Sequence, residues 1–181
     1  MWDNRFLGNI GNDALVTIDG TDLKVQKRYD KRFFSHKFKS GGLRYEVGVC
    51  IVTGHIVWIN GPFRCGTNDI TIARQCVIAN LTKNEMVEAD KGYAGEDYYI
   101  RTPFPKHCRT KKEMKMKADA RGRHETVNER LKTFKILADT FRHPLSSHSS
   151  IFRAVAVITQ LNIENGQPLF DVEYYDDDGK R

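Results

Sequence analysis

The sequence lacks the features that would place it in a membrane, in a secretory pathway or among enzymes with a side-chain nucleophile. No stretch approaches the roughly 18 apolar residues that a membrane-spanning helix needs. The first residues show no basic region followed by an apolar core. We therefore expect neither a membrane span nor a signal peptide, but an intracellular protein that is nuclear if it is eukaryotic. There is no internal repeat, no low-complexity segment and no Ser-His-Asp or Cys-His signature.

Cysteine is scarce, and its spacing carries no metal-binding signal. The four cysteines are Cys50, Cys65, Cys76 and Cys108, and none of them belongs to a Cys-x-x-Cys pair. This spacing excludes the common zinc-finger patterns. Cys50 lies within an apolar run and is predicted to be part of the core. We expect reduced thiols in an intracellular compartment.

The composition is that of one globular domain with an excess of basic residues. The chain has 181 residues, 40% of them hydrophobic, and 29 Lys and Arg against 23 Asp and Glu, which gives a net charge of +6. Basic residues are concentrated in 24–44 and 101–123, whereas 173–178 is acidic. A basic excess of this kind favours a polyanionic partner such as nucleic acid.

The stretch 16–22, Val-Thr-Ile-Asp-Gly-Thr-Asp, provides the first candidate site. Val16 and Ile18 alternate with Thr17 and Asp19, which predicts a strand. Gly20 is predicted to end that strand, and an extension of the strand through 23–25 is the alternative. A carboxylate at the end of a strand suits Mg²⁺, a hard cation that binds oxygen ligands. The alternative is a strand followed by an ordinary polar turn.

Strand and helix patterns alternate along the rest of the chain. A hairpin is predicted over 45–62 with its turn at Gly54, and a helix over 68–80. A short strand over 86–89 ends in Asp90, which repeats the order of apolar residues, Asp and Gly. A second strand that ends in Asp is what a metal site shared between neighbouring strands requires.

Two further helices complete the predicted domain. A long helix is expected from about 112 to 138, with a break at Gly122. A last helix, capped by Ser147 or Ser149, is expected to stop before Gly166. These elements predict an α/β fold with a mixed sheet of about five strands and helices on both faces. We assign 1–13 to a leading segment, 14–165 to the domain and 166–181 to an acidic, disordered C-terminal tail.

Four short motifs follow one another in a fixed order. They are 16–22; 56–63, with Asp69 after it; 88–93, Glu-Ala-Asp-Lys-Gly-Tyr; and 123–132, Arg-His-Glu-Thr-Val-Asn-Glu-Arg-Leu-Lys. Each motif is weak alone. In this order the chain resembles the DDE-superfamily endonuclease domain of Harbinger-type (PIF/Harbinger) transposases, over roughly 16–137.

The resemblance implies an RNase H-like fold whose acidic residues bind two Mg²⁺ ions, for which Mn²⁺ can substitute. The implied catalytic and metal-binding residues are Asp19, Asp90 and Glu125. Glu129 lies one helical turn beyond Glu125 and is a rival for the third position. We prefer Glu125 because the Arg-Leu-Lys of the family motif then aligns with 130–132. Asp22 and Asp69 are kept as alternates or as residues that support the ligands.

The resemblance also implies DNA as the substrate. The residues expected to bind DNA are Lys37, Lys39, Arg44, Lys111, Lys112, Arg123 and His124. Transposases of this type usually carry a separate DNA-binding domain ahead of the catalytic part, whereas the first predicted strand here begins at Val16. We therefore expect a separate DNA-binding partner protein, and self-association into a homo-oligomer is considered.

Two other functions compete with the nuclease prediction. A non-enzymatic chain of the same fold would be a domesticated DNA-binding or scaffold protein without turnover. The run 18–21, Ile-Asp-Gly-Thr, also resembles the motif of haloacid-dehalogenase-like phosphatases. That chemistry uses an Asp as nucleophile where this sequence has Thr17, so the attacking group is missing.

Overall fold

A mixed sheet forms the centre of the protein. The computed structural model describes residues 1–8, 11, 13–26, 30–103 and 110–174. The strands are β1 (Ala14–Lys24), β2 (Phe34–Ser35), β3 (Ser40–Cys50), β4 (Ile56–Arg64), β5 (Met86–Ala89) and β6 (Ile100–Arg101). β3 lies between β4 and β1 and is antiparallel to both, β5 and β6 continue the sheet in parallel beyond β1, and β2 pairs with the start of β3. This arrangement confirms the predicted fold class and is consistent with an RNase H-like fold.

In the described ranges, four α-helices lie against the sheet. They are α1 (Asp69–Gln75), α2 (Lys111–Lys132), α3 (Lys135–Ala138) and α4 (His148–Glu164). Thr110 and Glu113 form a reciprocal capping box at the start of α2, which satisfies two otherwise unpaired backbone N–H groups. The expected break at Gly122 does not occur, because α2 continues through this residue to Lys132.

The alternation of side chains along β1 explains how helices come to cover both faces. Val16 and Ile18 belong to a buried cluster that includes Ala73 of α1. Thr17 and Asp19 point to the opposite face, where both contact α2. A second cluster, formed by β3, α2 and α4, fills that face. None of the helices in the described ranges combines the length and apolarity of a membrane span.

Residues 166–174 differ from the disordered tail that was predicted. Arg123 donates to the carbonyl oxygen of Phe170 at 3.3 Å, and Arg130 donates to the carbonyl oxygens of Gln167 and Pro168. Tyr174 is 5% exposed and packs in a buried cluster with residues of β1 and α2. The segment is therefore part of the domain, and the acidic run beyond it lies outside the described residues.

Candidate active site

A cavity opens where β5 ends beside β1, under the middle of α2. It has a volume of about 190 Å³ and is lined by Thr17, Ile18, Asp19, Asp90, Arg121, His124 and Glu125. The three carboxylates predicted from the sequence are all in this list, although they come from distant parts of the chain. β1 and β5 pair as far as Ile18 and Ala89, so Asp19 and Asp90 both lie just beyond the last paired residues.

Asp19 is the best-anchored of the three carboxylates. Its Oδ1 accepts the backbone N–H of Gly20 at 2.8 Å, and its Oδ2 accepts Nδ2 of Asn128 at 3.0 Å. Burial raises the pKa of Asp19, the charges of Asp90 and Glu125 raise it further, and the ammonium of Lys37 opposes them. β1 does not end at Gly20 as predicted but continues to Lys24, because β3 pairs with it that far.

Asp90 and Glu125 are more open to solvent. Asp90 follows β5 and caps the 3₁₀ turn Lys91–Tyr93, where its Oδ1 accepts the N–H of Gly92 at 2.8 Å. Glu125 projects from α2 into the cavity. Glu129 is exposed one turn further along the helix and is not among the residues that line the cavity.

Asp22 and Asp69 face the other side of the sheet, where both are bound by Arg44. The Arg44 guanidinium lies 2.7 Å from Oδ1 of Asp22 and 2.7 Å from Oδ1 of Asp69. Burial would raise the pKa of Asp22, but hydrogen bonds from Arg44 and Ser35 lower it. Gly20 makes room for this bridge, because a Cβ there would lie 2.7 Å from Oδ1 of Asp69. Neither aspartate is among the residues that line the cavity. Burial raises the pKa of Asp69, and the charges of Asp90 and Asp19 raise it further, so Asp69 lies close to these two carboxylates.

The seven predicted DNA-binding residues separate into two groups. Lys37, Lys39, Lys111 and Lys112 are exposed, and Nζ of Lys37 donates to the carbonyl oxygen of Gly20 at 3.0 Å. The placement of the other three does not suit the DNA contact that we expected. Arg44 is 12% exposed and occupied by its two carboxylates. Arg123 and His124 are 2% and 3% exposed.

His124 is held against β1. Its Nδ1 lies 2.8 Å from Oγ1 of Thr17, and the Thr17 hydroxyl donates to the carbonyl oxygen of Val49 at 3.2 Å. The hydroxyl has one proton, so Nδ1 of His124 is the donor in the tautomer in which Thr17 donates to Val49. Burial lowers the pKa of His124 to about 4, so the ring is neutral at physiological pH.

Sequence reasoning missed two basic features of the structure. Arg121 lines the cavity one helical turn before Glu125, and that spacing is the signal that could have found it. A separate open cavity of about 340 Å³ is lined by Lys31, Arg32, Arg64, Gly66 and Thr67. Only the folded hairpin brings Arg64 beside Lys31, so no local pattern predicts this cavity.

The donor set of the first cavity suits a hard divalent cation, since all three acidic side chains offer carboxylate oxygens. As the side chains stand, the described residues contain no group of three His, Cys, Asp or Glu close enough to hold one metal ion. The cavity thus brings together the predicted residues, and their placement falls short of a formed metal centre.

Comparisons with known proteins identify a family for the chain. Residues 18–160 match the family described as DDE superfamily endonuclease, and no curated protein and no solved structure matches the chain. The matched range contains Asp19, Asp90 and Glu125 and ends within α4. Because the match covers well over half of the 181 residues, the chain belongs to the DDE superfamily endonuclease family.

Proposed function

We propose that this domain is a metal-dependent DNA endonuclease or transposase core of the Harbinger type, which cleaves and joins phosphodiesters. The observation that carries the proposal is the convergence of Asp19, Asp90 and Glu125 on one cavity. They come from β1, the end of β5 and α2, in the order that the family resemblance implies. The family membership supports a nuclease-like function and DNA as the substrate.

The three carboxylates would hold two Mg²⁺ or Mn²⁺ ions. Two bound ions would supply the activation of a water or 3′-hydroxyl and the stabilisation of the leaving oxygen. The burial of Asp19 and its repulsion by Asp90 and Glu125 raise its pKa, and a cation between these groups would relieve that repulsion. The protein itself would hold the carboxylate oxygens in place. One oxygen of Asp19 and one oxygen of Asp90 each accept a backbone N–H group.

Cations of the chain would orient the DNA. The guanidinium of Arg121 lines the cavity and its Nη1 makes no hydrogen bond within the protein. A guanidinium with a free N–H group can donate a hydrogen bond to a phosphate oxygen. Lys37 lies close enough to Asp19 to influence its pKa, so its ammonium is placed to counter the charge of a phosphate next to the carboxylates.

The competing proposal is a DNA-binding or scaffold protein that has lost turnover. The absence of a formed three-ligand cluster among the described residues favours this reading. Under either proposal a eukaryotic protein would act in the nucleus, where its DNA is. We also predict that the chain works with a separate DNA-recognition protein and associates into a homo-oligomer.

Mn²⁺ binding separates the two proposals first. Titration calorimetry, with and without a DNA duplex, would compare the unsubstituted chain with Asp19→Asn, Asp90→Asn and Glu125→Gln. The enzyme proposal expects binding that each substitution weakens. Glu129→Gln is the matched control, because it makes the same change one turn along the same helix, outside the cavity.

DNA nicking in Mn²⁺ is the second measurement. Loss of nicking in Asp90→Asn with unchanged DNA affinity supports the enzyme. A chain that binds DNA and never nicks it at any Mn²⁺ concentration supports the scaffold.

A further inference from the structure

Two contacts fasten α2 to β1 beside the candidate active site. His124 contacts Thr17 at 2.8 Å, and Asn128 contacts Asp19 at 3.0 Å. The two β1 residues are separated by two positions and the two α2 residues by four. Each pair therefore lies on one face of its own element.

The spacings of these two contacts match. Two residues along a strand span about 6.7 Å, and four residues along a helix span about 6.0 Å. Both contacts can therefore form together only when α2 has one register along β1. A slide of one residue, about 1.5 Å along the helix axis, would break them both. Glu125 follows His124 directly, so this register also fixes the position of Glu125 along the helix axis relative to Asp19.

Asn128 acts on Asp19 itself. It is 2% exposed, and its Nδ2 donates to Oδ2 of the carboxylate. The N–H of Gly20 donates to the other oxygen, Oδ1. Each oxygen of an ionised carboxylate offers about two acceptor positions. Each oxygen therefore keeps a position for a ligand, while the two donors fix the plane of the group.

The amide of Asn128 is not explained by stability alone. Its Oδ1 is buried and has no hydrogen-bond partner in the described structure. An unsatisfied buried acceptor destabilises the fold. An apolar side chain of similar size would avoid that cost, but it could not donate to Asp19.

We propose that Asn128 is a positioning residue, which orients the Asp19 carboxylate for metal binding and ties it to the helix that carries Glu125. The proposal rests on the proposed function, because it assigns Asn128 to that metal site. Groups that hydrogen-bond to metal ligands are typically worth 10–100-fold in metal affinity or activity.

The test compares Asn128→Ala and Asn128→Leu with the unsubstituted chain by Mn²⁺ titration calorimetry, with and without a DNA duplex. Both variants remove the donor, and Asn128→Leu keeps most of the volume. We expect a loss of Mn²⁺ affinity of about 10–100-fold in both variants. Asn162→Ala is the matched control, since it truncates an exposed Asn on α4 far from the cavity, and it should bind Mn²⁺ unchanged.

Thermal unfolding separates positioning from packing. Asn128→Leu removes a buried unsatisfied acceptor, so we expect its melting temperature to stay the same or rise while its Mn²⁺ affinity falls. In DNA nicking, kcat should fall with little change in KM, because buried Asn128 does not reach the DNA. If Asn128 had only a structural role, its substitution would lower the melting temperature, and it would not lower kcat while leaving KM unchanged.

The outcomes distinguish this proposal from the proposed function. If the unsubstituted chain and Asn128→Leu bind Mn²⁺ with the same affinity, the role of Asn128 is overturned and the proposed metal site is not. No Mn²⁺ binding by the unsubstituted chain, with or without DNA, overturns both.

Discussion

The hydroxyl of Tyr174 donates a 2.5 Å hydrogen bond to Oε1 of Glu88. Glu88 lies on β5, two residues before Asp90, and the same oxygen is 3.0 Å from the ammonium of Lys117 on α2. Glu88 and Lys117 are 1% and 5% exposed. Tyr174 lies beyond the range that matches the family. It contacts a buried ion pair between β5 and α2, the two elements from which Asp90 and Glu125 reach the candidate active site.

Tyr174→Phe tests whether the C-terminal segment stabilises this region. The substitution keeps the ring and removes one donor to a buried carboxylate, so we expect a loss of about 1.5–3 kcal/mol in the free energy of unfolding. Urea denaturation followed by circular dichroism measures it. Tyr98→Phe is the control, because Tyr98 is 67% exposed and its substitution should change stability by less than about 0.5 kcal/mol. Equal effects of the two substitutions would contradict this role of Tyr174.

Two of the acidic residues that line the cavity have a local sequence signal. Asp19 and Asp90 each follow an alternating or apolar run and stand one or two residues before a glycine, a pattern that is visible within seven residues. Their role as metal ligands stays a prediction. Glu125 was identified from the order of the motifs, because the residues around it carry no signal of their own. Glu125 and Glu129 lie one turn apart on the same face of α2, so helical periodicity does not separate them, and the preference for Glu125 depended on the motif alignment.

The parts that were not predicted depend on contacts between distant segments. Arg44 looked like a DNA-binding residue, because its ion pairs with Asp22 and Asp69 form only after β3, β1 and α1 pack together. Gly122 does not break α2. Its cost of about 1 kcal/mol relative to Ala is small beside the burial of Val127 and Leu131 on the same helix.

Arg44→Ala is expected to destabilise the fold strongly. It would leave the carboxylates of Asp22 and Asp69 without their shared cation, and removing one partner of a buried ion pair costs about 3–5 kcal/mol. Arg74→Ala is a matched control: its ion pair with Glu96 has the same N–O distance of 2.7 Å, but the two side chains are 52% and 30% exposed. An exposed pair contributes about 0–1 kcal/mol. Similar losses in urea denaturation would show that burial of the Arg44 bridge is unimportant.

Glu46 predicts a pH dependence of stability. Burial raises its pKa from 4.5 to about 7, although the hydrogen bond from Trp58 lowers it. Between these two values the unfolded chain releases the proton and the folded chain keeps it. The free energy of unfolding contributed by Glu46 therefore falls as pH rises from 4.5 to 7, by at most about 3 kcal/mol.

Glu46→Gln should remove that contribution, since Gln keeps an acceptor for Trp58 and does not titrate. The variant should be more stable than the unsubstituted chain at pH 8 and gain less at pH 5, as measured by urea denaturation. Glu129→Gln, an exposed change of the same kind, is the control. A stability difference between Glu46→Gln and the unsubstituted chain that does not vary with pH would count against a buried, protonated Glu46.

The open cavity beside Lys31 and Arg64 predicts how DNA affinity responds to salt. If each of these cations contacts a phosphate, Lys31→Ala and Arg64→Ala should each reduce the slope of log K against log salt concentration by about 1. Fluorescence anisotropy of a labelled duplex between low and moderate salt measures this slope. Lys83→Ala is the control, because Lys83 is exposed in the turn before β5, at the opposite end of that strand from Asp90. A slope that none of the three substitutions changes would mean that DNA binds elsewhere.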